Sequence, residues 1–299
     1  MTEAASIESE RRTFNRWALA PSLIVLFAIA ALPALYLLAT SLTPFQLVNP
    51  GSSTDFSAPL RNYRLLPGDP RFINSLLVQA KLSFWGVLFQ VLLGMLLALL
   101  LNAQSRFVEF ARSFFLIPMV LPPIVVAVIW KLIYTPDISP IYYAAGLLHF
   151  TMPSLTSSVN FALTSIIIAD TWEWLPFTFL MVLAALQTIP DEYSEAALVD
   201  GASRIQIFFY VTLPFIAPIL VISAMFRLID SVKAFPLIFL LTSGGPGSVT
   251  EVTNYYAYLL AFDSNEIGYS SAVTIVMLLL VVAVSLGVMW MGRNREALN

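Results

Sequence analysis

Asp170, Glu173, Trp174 and Phe177 fall in one apolar stretch of the sequence, and Arg227, Asp230 and Lys233 in another. These residues have the chemistry to hold a polar solute. At about 100° per residue, the first group lies at about 0°, 300°, 40° and 340° around a helix and shares one face. The second group lies at about 0°, 300° and 240°, within an arc of about 120°. Trp172, near about 200°, points away from the first group. A charge inside a membrane helix costs about 2.5–3.5 kcal/mol on insertion scales, so such groups turn toward a bundle interior or a watery path. Fixed charges and aromatic faces suit hydroxyl groups and apolar ring faces. The two faces are therefore expected to line a solute path. They can equally serve structure. Arg227 or Lys233 can pair with Asp230 or with an acid of the first stretch, and Trp174 and Phe177 can pack between helices.

The elements that carry these residues follow from composition. Of 299 residues, 59% are hydrophobic and 11% charged. A soluble domain carries about 25% charged residues. An ordinary water-soluble enzyme and a disordered chain are excluded. The net charge of −3 leaves no basic footprint for nucleic acid. Cysteine is absent and His149 is the single histidine. No disulfide framework, thiolate site, histidine zinc cluster or Ser-His triad can be built. His149 is expected in a loop and not as a ligand.

Six stretches have the roughly 20 apolar residues a spanning helix needs. They are Trp17–Ser41, Ile73–Asn102, Val108–Tyr134, Phe161–Gln187, Phe215–Thr242 and Ser270–Met291. Their length excludes barrel strands. The expected fold class is an all-α integral membrane protein with six transmembrane helices, carried in a domain over 17–292. Cytoplasmic tails are expected at 1–16 and 293–299, and external loops at 42–72, 135–160 and 243–269. The loop 42–72 reads as an ordered cap, and Gly244–Gly247 as a turn. Arg11, Arg12 and Arg16 precede the first stretch, which runs through Leu38 and is too long for a signal h-region; it reads as an uncleaved anchor. With the N-terminus inside, Arg11, Arg12, Arg16, Arg106, Arg112, Arg204, Arg293 and Arg295 lie on the inner side. Arg61, Arg64, Arg71 and Lys131 lie outside. That bias places both termini in the cytoplasm.

The longest inner segment, 189–214, reads as two short helices. Asp191 is expected to cap the first and Gly201 to stop it. Ser203 is expected to cap the second, with Pro214 leading into the fifth span. Small residues on one side (Ala196, Ala197, Ala202) and acids at Glu195 and Asp200 suit a docking knob, the acids accepting hydrogen bonds from a partner's arginines.

Glu195-Ala196-Ala197, three residues, Gly201, nine residues, Val211, one residue, then Leu213-Pro214 resembles the EAA motif of permease subunits in bacterial ATP-binding-cassette (ABC) importers. Val211 stands where isoleucine is usual. The string from Glu195 to Ser203 resembles the carbohydrate branch, which carries maltose, glycerol phosphate and polyols. Asp170–Phe177, Arg227–Phe235 and Leu241–Gly247 agree with it, and the resemblance runs from about Phe72 to the C-terminus. It implies a type I importer fold in the bacterial inner membrane. It also implies that the loop carrying Glu195, Ala196, Ala197, Asp200, Gly201, Ala202 and Pro214 is the coupling helix. The implied partners are a second permease in a heterodimer, two ABC ATPase subunits and an extracytoplasmic solute-binding protein. The lysines Lys81, Lys131 and Lys233 do not follow glycine, so there is no phosphate-binding loop. ATP and magnesium would then be held by the ATPase, with no cofactor in this chain. The first rival is an ion-coupled secondary transporter using Asp170 and Asp230, which leaves the 189–214 loop unexplained; the second is a membrane assembly or scaffold protein without transport.

Overall fold

A computed structural model describes residues 2–102, 106–232 and 234–296. The described residues are helical, without strands; a lone bridge joins Gln46 and Asn49. The chain forms two compact units, Met1–Leu66 with Leu259–Ile275, and Pro67–Tyr258 with Val276–Asn299.

In the first unit, helix α1 (Thr2–Ser41) carries the apolar stretch Leu19–Ser41. After it come a 3-10 turn, Pro50–Thr54, and the short helix α2 (Arg61–Leu65). Buried Asn62 orders this segment by donating to the Ser41 and Thr43 carbonyls at 2.9 and 2.8 Å. The Gly268 amide donates to the Phe45 carbonyl at 2.9 Å. A Cβ on Gly268 would sit 2.1 Å from the Thr43 carbonyl oxygen, so the approach requires glycine there.

The second unit holds α3 (Pro70–Leu100), α4 (Arg106–Phe115), α5 (Ile117–Val120), α6 (Pro123–Tyr134) and α7 (Pro140–Leu147). It continues with α8 (Ala162–Leu186), α9 (Asp191–Val199), α10 (Arg204–Ile207), α11 (Leu213–Ser231), α12 (Phe235–Leu241) and α13 (Thr253–Tyr258). Asp69 starts α3 by accepting from the Arg71 and Phe72 amides. Helix α8 packs against α3, α11, α6 and α12. Gly94 lets α3 approach α8 closely, because a Cβ there would lie 2.8 Å from the Thr178 Cβ. Ala98, Phe179, Val182, Leu183, Leu186 and Ile216 form a core where α3, α8 and α11 meet. The last helix, α14 (Ile267–Glu296), is apolar over Ile267–Gly287.

Five helical runs among the described residues are long and apolar enough to cross a membrane: Leu19–Ser41, Pro70–Leu100, Ala162–Leu186, Arg204–Ser231 and Ile267–Gly287. The expected third span, Val108–Tyr134, is divided into α4, α5 and α6. Leu121 is extended before Pro122-Pro123, two residues without amide hydrogens, so a helix must stop there and restart. Its apolar part, Pro123–Tyr134, is short. The expected fifth span, Phe215–Thr242, is likewise broken after Ser231, and Pro236 opens α12 in its first turn. Proline at 236 denies the Val232 carbonyl its helical donor. The Asn254 side chain supplies one instead, at 2.8 Å. Arg227 and Asp230 share α11, which ends at Ser231; the expected site residue Lys233 lies outside the described residues.

Candidate functional site

Arg227, on α11, is buried and reaches three helices. Its Nε donates to Gln90 Oε1 on α3 at 2.8 Å, and its Nη1 donates to Asp230 Oδ2 at 2.6 Å. Its Nη2 lies 3.9 Å from Asp170 Oδ1 on α8, without a hydrogen bond. Gln90 uses its other end on α8, donating to Asp170 Oδ2 at 2.7 Å. The Arg227 guanidinium also lies 4.3 Å from the centroid of the Trp174 ring, a cation–π contact. Each buried polar group so placed offsets the desolvation of another.

The network fits because α3 presents small residues beside it. A Cβ on Gly86 would come 3.2 Å from Asp170 Oδ2. Gly86, Gln90 and Gly94 recur every four residues, one stripe on the α3 surface. Gln90 is the member of this network that a reading keyed to charge misses. Its signal is an amide deep in an apolar helix, between two glycines at helical spacing.

Asp170, Glu173, Trp174 and Asp230 meet at a cavity of about 260 Å³, lined also by Pro123, Ala234, Pro236 and Leu237. The structure thus brings together four of the seven expected path residues, with Arg227 behind them. Phe177 does not line this cavity; its ring meets Phe226 edge-on at 6.3 Å. Asp230 has the structural pairing with Arg227 that its spacing allowed. Trp174 has one face against the guanidinium. Among the described residues, no group of three or more His, Cys, Asp or Glu side chains is placed to hold a metal ion.

The second candidate region is the segment 189–214. Helix α9 ends at Val199 and its N-cap residue is Pro190, which corrects the expected cap; Asp191 and Glu192 sit in the first turn instead. Acids there favour the positive end of the helix dipole. Gly201 takes φ +82°. The Ala202 amide donates to the Ala197 carbonyl, and the Gly201 amide to the Leu198 carbonyl. That pair is a Schellman termination. Ser203 then caps α10 in a reciprocal box with Gln206. A π-helical turn, Phe208–Thr212, joins α10 to α11, with Pro214 in the first turn of α11. Tyr193 braces the knob, its ring 5.2 Å from that of Phe215. Neither α9 nor α10 has a buried residue. Glu195, Ala196, Asp200 and Gly201 are exposed, and Ala197 and Ala202 half-buried. Large apolar side chains are exposed beside them: Val199 at 88% and Tyr210 at 81%.

The knob thus leaves large apolar side chains open to contact from outside this chain. Residues 90–295 match the family described as binding-protein-dependent transport system inner membrane component. The chain belongs to this family. It is therefore a permease, a transport subunit and not an enzyme, and ATP hydrolysis belongs to a separate subunit. Its partners are a further permease subunit, an ATPase and a solute-binding protein. It is 37% identical to a probable ABC transporter permease protein, y4oQ, of Sinorhizobium fredii, over 92% of this chain and 88% of that one. It is 35% identical to the trehalose/maltose transport system permease protein MalF of Thermococcus litoralis, over 79% and 80%. The fold of a bacterial ABC transporter involved in the import of the acidic polysaccharide alginate superposes with a TM-score of 0.82. That likeness covers 97% of this chain and 99% of the other, at 21% identity. The helical permease fold is thus shared.

Proposed function

We propose that this permease is the membrane-spanning part of an ATP-driven carbohydrate importer, working in a bacterial inner membrane with both termini in the cytoplasm. A second, non-identical permease would complete the path, two ATPase subunits would drive it, and an extracytoplasmic protein would deliver the solute. The solute is a sugar, oligosaccharide, polyol or sugar derivative. A relative named for trehalose/maltose transport supports the class.

The observation that carries the reading is the exposed, doubly capped knob of α9 and α10. Its helices are fixed by Gly201 and Ser203, not by burial in this chain. It would seat in a cleft of the ATPase through Glu195, Ala196, Ala197, Asp200, Gly201 and Ala202. Continuity of α10, the π-helical turn and α11 would carry its movement to Arg227 and Asp230. For ATP to shift the bundle between inward- and outward-facing states, the ATPase states must bind the two bundle states with different affinity.

Asp170, Glu173, Trp174 and Asp230 would face the solute, with Arg227 holding them. The cavity lies below the ~300–1,000 Å³ usual for small-molecule sites. It suits one end of a solute whose remainder is held by the partner permease.

The test is uptake of labelled sugar by the assembled complex in proteoliposomes. Vanadate should abolish uptake and a protonophore should leave it unchanged. The reverse pattern would assign the chain to ion-coupled transport.

A further inference from the structure

Glu173 stands apart from the acids around it. Asp170 accepts from Gln90, and Asp230 accepts from Arg227. Glu173 is 2% exposed and lies on the cavity wall, and no described residue donates a hydrogen bond to it. A buried carboxylate without a donor is costly, so a donor entering the cavity would be held strongly.

Charge narrows what that donor is. Asp170 and Asp230 flank Arg227, and Glu173 lines the same cavity as both acids. The guanidinium gives Nε to Gln90 and Nη1 to Asp230, its face is covered by Trp174, and its unbonded Nη2 lies 3.9 Å from Asp170 Oδ1; Arg227 is not among the residues that line the cavity. Counting Lys233 from the sequence as well, these two stretches still hold three acids to two bases. A phosphate, sulfonate or uronate entering here would meet like charge at close range in a poorly screened site. A sugar hydroxyl brings a donor and no charge.

We propose that the cavity selects uncharged carbohydrate over anionic carbohydrate, with the Glu173 carboxylate accepting a hydroxyl of the solute. This assignment rests on the carbohydrate-importer reading and adds the charge class of its solute. Arg227 is a positioning residue here: it fixes Asp230 and Trp174 and does not recognise an anion.

Calorimetry of the cognate binding protein provides the first test. The panel is neutral hexoses, disaccharides and polyols beside sugar phosphates, sulfonates, uronates and amino sugars. The bound sugar should be uncharged; a charged one overturns the proposal. Uptake of that sugar by the assembled importer then follows for wild type, Glu173→Gln and Glu173→Leu. Both variants should co-purify with the ATPase. The Leu variant should raise KM at least about tenfold with little change in turnover at saturation, and the isosteric Gln variant less. A deoxy-sugar series separates recognition from structure. One deoxy position should weaken uptake by wild type and make no further difference in the Leu variant. A wild-type KM in both variants overturns the assignment. If no carbohydrate binds at all, the importer reading of the solute falls, and this assignment falls with it. A bound neutral sugar with unaltered variants sinks this assignment alone.

Discussion

Gln90 and Arg227 are 137 residues apart in sequence, and the side-chain oxygen of the first accepts from Nε of the second at 2.8 Å inside the bundle. The same amide donates to Asp170. One uncharged side chain on α3 therefore holds the charged groups of α8 and α11 in register. Replacing it by leucine strips a donor from Asp170 and an acceptor from Arg227, both buried. Leaving such groups unsatisfied costs about 1–3 kcal/mol each. Gln90→Leu should lower the melting temperature of the purified permease complex and cut uptake at least tenfold. A variant with unchanged melting and uptake would remove the network from the mechanism.

The close approach of α3 and α8 supplies a second expectation. Gly94 has no room for a Cβ against Thr178, whereas nothing lies within 4 Å of the Cβ position at Gly146. Overpacking of this kind costs about 1–3 kcal/mol. Gly94→Val should reduce the folded yield in membranes, and Gly146→Ala should leave it unchanged, as read by fluorescence-detected size exclusion.

Arg71 and Glu251 form a bidentate pair whose members differ in burial. Arg71 is 53% exposed at its side chain and Glu251 2%. Removing the arginine leaves a buried charge alone, while removing the glutamate returns a cation to solvent. Arg71→Ala should therefore destabilise more than Glu251→Ala. The buried-partner loss approaches the ~3 kcal/mol seen when buried pairs are broken, and the exposed side of the pair contributes under about 1 kcal/mol. Thermal unfolding of the two variants side by side checks the order.

Gly201 has free space around it and φ +82°, so the obstacle to a side chain is backbone conformation alone. Residues other than glycine cost about 1–3 kcal/mol in such a conformation, with asparagine among the best tolerated. Gly201→Val should weaken retention of the ATPase on the purified permease and uncouple transport. Gly201→Asn should do so less, and membrane insertion should be normal in both.

These features differ in how far the sequence betrays them. Caps are local chemistry, so Gly201 and Ser203 were readable from residue type and spacing. Pro190, extended and without a side-chain bond, holds the first cap position, and Asp191 falls one residue inside the helix. Apolar length, in contrast, does not distinguish an unbroken span from a broken one. The breaks at Pro122-Pro123 and before Pro236 depend on where freed carbonyls find partners, and Asn254 is remote in sequence from Val232. Facing angles placed Asp170, Glu173 and Trp174 correctly around α8. They could not tell that Phe177, a turn further along, meets Phe226. Gln90 escaped a search keyed to charge, although it binds two charged partners.

The central claim is that the α9–α10 knob seats on an ATPase. The natural chain has no cysteine, so a single Val199→Cys or Ala197→Cys substitution gives an unambiguous probe. Oxidative crosslinking in the assembled importer should join either position to a cysteine placed in the ATPase cleft, with a yield that changes between nucleotide-free and vanadate-trapped states. Labelling of these cysteines from the outer face of intact cells, or no crosslink to the ATPase in any nucleotide state, would contradict the account.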